Sequence, residues 1–179
     1  MPRYVALLRA INVGGHTVKM DALRAHFEAL RFARVESFIA SGNILFDTSS
    51  TDAAAIEARI EKKLRTELGY DVDTFVRTAS ELAAVAAHRP FEHDPVADGH
   101  TLQAIFVKSP IGRVDRDRIL ALCSDYDDFD VVGREIYWRT RGRSSDSRIT
   151  PPIFARACAV TGTARNVTTV RKLAALMVK

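Results

Sequence analysis

The sequence predicts an α+β fold made of two similar halves, each with an antiparallel sheet covered by helices. Two observations predict it. Apolar bursts of strand length alternate with apolar residues at helical spacing. The order of elements in the first half is also largely repeated in the second. A membrane protein is not expected, because no apolar run reaches the ~18 residues of a membrane span. A chain of 179 residues, 47% of them hydrophobic, is long enough to fold into two small packed halves.

The first half contains six elements, predicted from strand-like bursts and helical apolar spacing. They are a strand over 4–11, a helix from Met20 to Leu30, two strands either side of a turn at 41–43, a helix after the capping residue Asp52, and a strand over 72–78. The order βαββαβ is the split βαβ arrangement of ferredoxin-like folds, in which four antiparallel strands carry two helices on one face.

The second half repeats this order as far as its second helix. Its elements are a short helix over 80–88, a strand over 102–108, a helix capped by Asp115 that buries Ile119, Leu122 and Cys123, two strands turning near Gly133, a helix from Pro151 to Gly162, and a last helix from Asn166. An apolar stripe on the last helix predicts packing at the seam between the halves. We expect a subdomain over 1–79, a connecting helix and loop over 80–100, and a second subdomain with the C-terminal helix over 101–179.

Charge is distributed unevenly along the chain, whose net charge is +4. Residues 131–179 hold ten Lys or Arg against two acids, whereas 91–130 hold four against nine. Such a basic segment can attract an anion or a polyanion. The start of the chain lacks the apolar stretch of a signal peptide, so we expect a cytoplasmic protein with no membrane partner. Cys123 and Cys158 lie among apolar residues, which predicts buried thiols.

Two polar segments of the first half are candidate binding positions. Arg9 shares a face of the first strand with apolar residues, so it needs a partner, either a carboxylate such as Glu36 or a ligand. The glycine pair that follows could bring backbone N–H groups close to an anion. The turn Ser41-Gly42-Asn43 has ordinary turn residues, which are also small polar groups able to face a ligand.

A third polar segment begins the last helix. Arg165 precedes a helix start supplied with Asn166, Thr168 and Thr169. Helix N-termini attract anions, and an arginine adds a bidentate donor. The alternative interpretation is a simple helix cap.

Other chemistry has little support in the sequence. The histidines at 88, 93 and 100 fit no helix face, and the acids over 125–130 are typical of a surface, so we expect no metal and no cofactor. No nucleophile motif is present, which leaves open whether the chain is an enzyme. The third strand lacks the aromatic pattern of RNA-recognition domains.

Three spaced motifs carry a resemblance to a known family. They are LLRAINVGG followed by Met20 and Leu23, FIASGNILF, and TARNVTTV. In them the chain resembles DUF1697, a bacterial family named as a domain of unknown function. The resemblance implies an α+β protein with two ferredoxin-like subdomains, and it implies no activity or ligand. Ala10 stands where the family usually has Gly, and Val167 where it has Trp. The residues that match motif positions, and that we expect in any shared site, are Arg9, Asn12, Gly14, Gly15, Ser41, Gly42, Asn43, Arg165, Asn166 and Thr169.

The favoured prediction is a protein that binds a small anionic or phosphorylated ligand in a polar pocket between the subdomains, where Arg9, Asn43 and Arg165 converge. One alternative is a nucleic-acid-binding module that uses the basic last quarter. Another is a protein-interaction module in which the motif residues are purely structural. The reaction, the ligand and the oligomeric state do not follow from the sequence.

Overall fold

The computed structural model describes residues 1–12, 15 and 17–178; Gly14, one of the expected site residues, lies outside them. The chain divides into two compact units, Met1–Ala83 together with the chain from Leu173 onward, and Ala84–Lys172. Each unit holds a four-stranded antiparallel sheet. The expected α+β fold with two ferredoxin-like subdomains is confirmed. The expected connecting segment over 80–100 and the packing of the last helix at a seam stay predictions.

The first sheet has the strand order β2-β3-β1-β4. The elements are β1 Arg3–Leu8, α1 Met20–Ala29, β2 Ala33–Ser37, β3 Asn43–Asp47, α2 Ala53–Leu68, β4 Thr74–Thr78 and α3 Ala79–Ala87. Asp52 caps α2 as expected, because its carboxylate accepts a hydrogen bond from the Ala55 N–H at 3.0 Å.

One hydrophobic cluster of the first unit lies on one face of its sheet. Alternate residues of β1, from Tyr4 to Leu8, cluster with buried residues of both helices, among them Phe27 of α1 and Ile60 of α2. The antiparallel register places Leu7 opposite Asn43, so the end of β1 lies beside the start of β3. Two of the three motifs therefore meet at this end of the sheet.

The second sheet repeats the pattern with the order β6-β7-β5-β8. Its unit contains β5 Thr101–Val107, α4 Arg113–Leu120, β6 Asp127–Val132, β7 Glu135–Thr140, a 3-10 turn Ser144–Asp146, α5 Pro151–Ala157 and β8 Gly162–Asn166. The last helix, α6 Val167–Met177, begins in this unit, and its residues from Leu173 onward belong to the first. The turn at Gly133 joins β6 to β7 as expected, with φ 58°. Cys158 is buried in the core of this unit, as expected.

Strand β8 was not expected, and the prediction that Gly162 ends the preceding helix is wrong. Helix α5 ends at Ala157, and Gly162 begins β8 instead. A Cβ at Gly162 would lie 2.8 Å from Ile105 Cγ2 and 2.9 Å from the Phe106 carbonyl oxygen. Glycine is needed there because β8 packs tightly along β5.

Three smaller expectations are also wrong. Strand β1 ends at Leu8 rather than residue 11, because Ala10 has a left-handed backbone with φ 54° that turns the chain. Asp115 lies within the first turn of α4, whose cap is Gly112. Cys123 is exposed, since it follows the end of α4 in a turn.

In the part of the chain that the structure describes, none of the helices combines the length and apolar character needed to cross a membrane.

Candidate functional site: the motif corner of the first unit

The first two motifs meet where β1 ends and β3 begins. We call the segments 9–12 and 38–43 the motif corner. The Leu8 N–H donates a hydrogen bond to the Gly42 carbonyl at 2.8 Å. The side-chain amide of Asn12 donates to the Ala40 carbonyl at 3.4 Å. Residues about 30 positions apart in sequence are thereby joined at two points.

Gly42 allows this close approach. Its φ of 73° lies in the left-handed region that favours glycine. A Cβ on Gly42 would lie 2.8 Å from Ile11 Cγ2 and 3.1 Å from Leu8 Cβ. Any larger residue would push the two segments apart, so Gly42 has a structural role in the corner.

Asn43 stabilises the connection between β2 and β3 by hydrogen bonds to other residues of that connection. It is completely buried. Its Nδ2 donates to the Phe38 carbonyl at 3.1 Å and to Ser41 Oγ at 2.7 Å. The Phe38 N–H in turn donates to the Asn43 carbonyl at 2.9 Å. A buried amide held this way fixes the loop and is not available to a ligand.

Asn12 fixes the loop that follows β1. Besides binding Ala40, it accepts a hydrogen bond on Oδ1 from the Val18 N–H at 2.7 Å. The Tyr70 hydroxyl donates to the Ile11 carbonyl at 3.2 Å. The start of this loop is therefore held by hydrogen bonds to the connection before β3, to the residue Val18 that precedes α1, and to Tyr70.

Arg9 carries the exposed charge of the corner. The expectation that it lies on an apolar face is wrong; of its two expected kinds of partner a carboxylate is present, although it is Asp73 and not Glu36. Its side chain is 51% exposed, and its Nη1 lies 3.0 Å from Asp73 Oδ2. Glu36 pairs instead with Arg3, at 2.7 Å. Arg9 is exposed because it follows Leu8, the last residue of β1.

Ser41 and Gly15, the remaining described site candidates of the first two motifs, are exposed. Ser41 lies at the surface, with its Oγ bound by Asn43. Gly15 is exposed as well, with φ 87° and open space where a Cβ would lie.

Arg165, in the third motif, is a buried residue of β8. Its Nη1 donates to Thr163 Oγ1 at 2.8 Å and to the Ala164 carbonyl at 2.9 Å. Burial lowers the pKa of the guanidinium from 12.5 to about 10. This residue lies one position before the cap of α6, so it occupies the end of a strand.

Asn166 is the cap of α6, as one of the two interpretations expected. Its Oδ1 accepts hydrogen bonds from the Thr168 N–H at 2.9 Å and the Thr168 hydroxyl at 2.8 Å. Thr169 is partly buried in the first turn of the helix. Arg9 and Asn43 share one corner of the first unit, whereas Arg165 belongs to the second, and the convergence of all three stays a prediction.

Three arginines of the basic last quarter form ion pairs with acids of the segment that precedes it. Antiparallel pairing of β6 with β7 places Asp128 opposite Arg139, and their side chains form an ion pair. Arg141 lies 3.5 Å from the same carboxylate. Arg171 binds Asp94 at 2.9 Å. The charge asymmetry along the sequence is therefore reduced within the folded second unit.

The acids of β6 are separated into different contacts and form no common site. Asp127 is buried and accepts hydrogen bonds from Trp138 Nε1 at 2.8 Å and Ser147 Oγ at 2.6 Å. Asp130 Oδ2 lies 3.1 Å from His88 Nε2. Within residues 1–12, 15 and 17–178, no three His, Cys, Asp or Glu side chains come together as a metal site would require.

A cavity of about 580 Å³ lies in the second unit, and none of the expected site residues lines it. It is lined by Ser124, Asp125, Tyr126, Asp127, Asp146, Arg148 and Ile149. The sequence reasoning missed it, because the contact between Ser147 and Asp127 that draws its two walls together joins residues 20 positions apart. No local pattern signals such a contact.

With this geometry established, the comparisons with known proteins identify the family. Residues 1–137 match the family described as "Protein of unknown function (DUF1697)". The chain belongs to the DUF1697 family. The matched part of the chain includes the whole motif corner. No curated protein matches the sequence.

A solved structure supports the fold of this DUF1697 protein. The conserved bacterial protein SP0830 from Streptococcus pneumoniae is similar over 100% of this chain and 99% of its own, with a TM-score of 0.74 and 23% identity. At that identity the likeness shows the fold alone. Ala10 has a left-handed backbone, φ 54°, a conformation that favours glycine.

Proposed function

We propose that this DUF1697 protein binds a small anionic ligand, phosphorylated or carboxylated, at the motif corner of its first unit. One observation carries the proposal. The side chains of Asn12 and Asn43 and the close packing of Gly42 fix two segments beside an exposed guanidinium, that of Arg9. A donor group held on a rigid frame binds an anion with less loss of conformational freedom.

The pairing of Arg9 with Asp73 is compatible with an exchangeable ligand. Both side chains are about half exposed, at 51% and 41%. Exposed ion pairs of this kind contribute roughly 0–1 kcal/mol. A phosphate or carboxylate, which can accept two parallel hydrogen bonds from a guanidinium, can therefore displace Asp73 at modest cost.

The same charge pairing leads us to favour a small ligand over nucleic acid. A nucleic-acid surface requires a continuous run of unpaired basic groups. Arg139, Arg141 and Arg171 of the basic quarter are paired with carboxylates instead. The protein-interaction alternative assigns all motif residues a structural role, and it differs from our proposal in predicting no anion binding at Arg9.

The experiment is a calorimetric titration with inorganic phosphate and methyl phosphate, backed by a thermal-shift screen that includes short oligonucleotides at two salt concentrations. The test variant is Arg9→Ala. The matched control is Arg65→Ala, because Arg65 forms a comparable exposed pair in the same unit, 3.0 Å from Asp71. We expect the parent and Arg65→Ala to bind equally and Arg9→Ala to lose at least tenfold in affinity.

Asp73→Asn sharpens the test, because it removes the carboxylate that competes for Arg9. We expect severalfold tighter phosphate binding in this variant. Equal affinities for the parent and Arg9→Ala would overturn the proposal. Stabilisation by oligonucleotides alone, abolished at high salt, would favour the nucleic-acid alternative.

A further inference from the structure

Ile39, at the tip of the connection between β2 and β3, has two unusual properties. It is one of the large apolar residues left at the surface, with 53% of its area exposed. Its backbone has φ 50°, in the left-handed region. A β-branched residue is strained in that region, and a turn alone is better served by glycine or asparagine. Neither property helps the fold.

The motif asparagines hold the residues on both sides of Ile39. Asn43 binds the carbonyl and the N–H of Phe38, and Asn12 binds the carbonyl of Ala40. The polar groups of the motif corner therefore keep an exposed apolar side chain in a strained conformation. Strain maintained in this way is typical of functional positions, where it serves to pre-organise a contact.

The charged and apolar groups lie on segments that touch. Arg9 follows Leu8, whose N–H binds Gly42, and Ile39 precedes Ala40, whose carbonyl accepts from Asn12. The guanidinium lies beside Asp73, which precedes β4, so a ligand that contacts both groups has to extend across the end of β1 to reach the isoleucine.

We propose that the ligand of the motif corner is an amphipathic anion, a phosphate or carboxylate with an apolar substituent, and that Ile39 contacts the substituent. This inference rests on the proposed function and specifies its ligand class. Binding then strengthens as the substituent lengthens, because each methylene removed from water contributes about a two- to fourfold gain in affinity.

The experiment measures affinity for methyl, propyl and pentyl phosphate by calorimetry. We expect the parent to bind each longer ester more tightly. Ile39→Gly should bind methyl phosphate within about twofold of the parent and lose the dependence on chain length. Ile39→Leu, which keeps an apolar side chain, should retain that dependence.

Thermal unfolding separates loss of contact from loss of fold. Ile39→Gly relieves the left-handed strain, so we expect its Tm to rise. Arg31→Gly is the matched control, because Arg31 is exposed, has φ 60° and lies in the connection between α1 and β2. It should also raise Tm, with binding of all three esters unchanged.

The outcomes distinguish the two proposals. If the parent fails to bind methyl phosphate, both the proposed function and this inference are overturned. If methyl phosphate binds but the chain-length dependence is the same in the parent and in Ile39→Gly, the ligand-class inference is overturned and the anion site stands.

Discussion

Two arginines from similar motifs, Arg9 and Arg165, have opposite environments in the folded chain. Arg9 follows the last residue of β1 and is half exposed beside Asp73. Arg165 lies within β8, is buried, and has a pKa lowered to about 10 by that burial. The sequences LLRAIN and TARN both place an arginine before an asparagine. The two guanidinium groups differ in exposure because Arg9 follows the end of β1, whereas Arg165 lies within β8.

The difference shows that a motif arginine within a strand can be a buried structural residue, whereas one that follows the strand can be exposed to a ligand. Asn12 and Asn43 also match motif positions, but their side chains form hydrogen bonds with backbone groups of the protein. Within the motif corner, the asparagines and Gly42 form the frame, and Arg9 and Ile39 are the groups that the frame exposes. Variants that remove frame residues should lower stability, whereas variants of Arg9 and Ile39 should change binding without a loss of stability.

The largest stability effect is expected for Arg165→Ala. The truncation leaves a void and removes the partner of Thr163 Oγ1, so we expect a loss of about 3 kcal/mol in the free energy of unfolding, measured with urea. Arg165→Met fills a similar volume without a buried charge. The cost of burying that charge is present at every pH below about 10, so at pH 7 Arg165→Met should be far closer to the parent or more stable.

Equal stability of Arg165→Ala and Arg165→Met would mean that the guanidinium is not buried in solution, because the truncation would then leave no void. The contrast between the two arginines would then disappear.

A smaller loss is expected for Gly42→Ala. The new Cβ meets Ile11 Cγ2 and the residue has φ 73°, so we expect about 2 kcal/mol of destabilisation. Gly15→Ala is the control, since its φ is 87° but its surroundings are open. It should cost about 1 kcal/mol, from backbone strain alone. Equal losses in the two variants would show that close packing at Gly42 adds nothing.

The smallest stability effect is expected for Arg9→Ala, within about 0.5 kcal/mol of the parent, because an exposed ion pair contributes little. Urea unfolding of the parent and variant at pH 7 measures it. A loss comparable to that of Arg165→Ala would make Arg9 a frame residue and remove the basis for an anion site.

Local patterns predicted most of the fold. Helical apolar spacing located α1 and α2, and β-like bursts located β3, β5 and the pair around Gly133. Strand β8 could not be predicted, because its five residues GTARN are mostly polar and become a strand through pairing with β5, from Val107 opposite Gly162 to Gln103 opposite Asn166. Such pairing is a property of the folded chain.

The candidate site was predicted in part. The motifs identified the residues that meet at the corner, and the turn at Gly42 was evident from its composition. The exposure of Arg9 was not, since it depends on where β1 ends and on Asp73, 64 residues away. Nor was the strained exposure of Ile39, which depends on hydrogen bonds from Asn12 and Asn43.

An NMR titration of the ¹⁵N-labelled protein with methyl phosphate tests most directly whether the motif corner binds anions. The signals to follow are the backbone amides and the arginine Nε–H groups. We expect the largest shifts at Arg9 Nε–H and at the amides of Ala40 and Ser41, with Arg65 and Arg165 unmoved. Shifts centred on Arg165 and Asn166, or spread over the arginines of 139–148 with none at Arg9, would contradict the account.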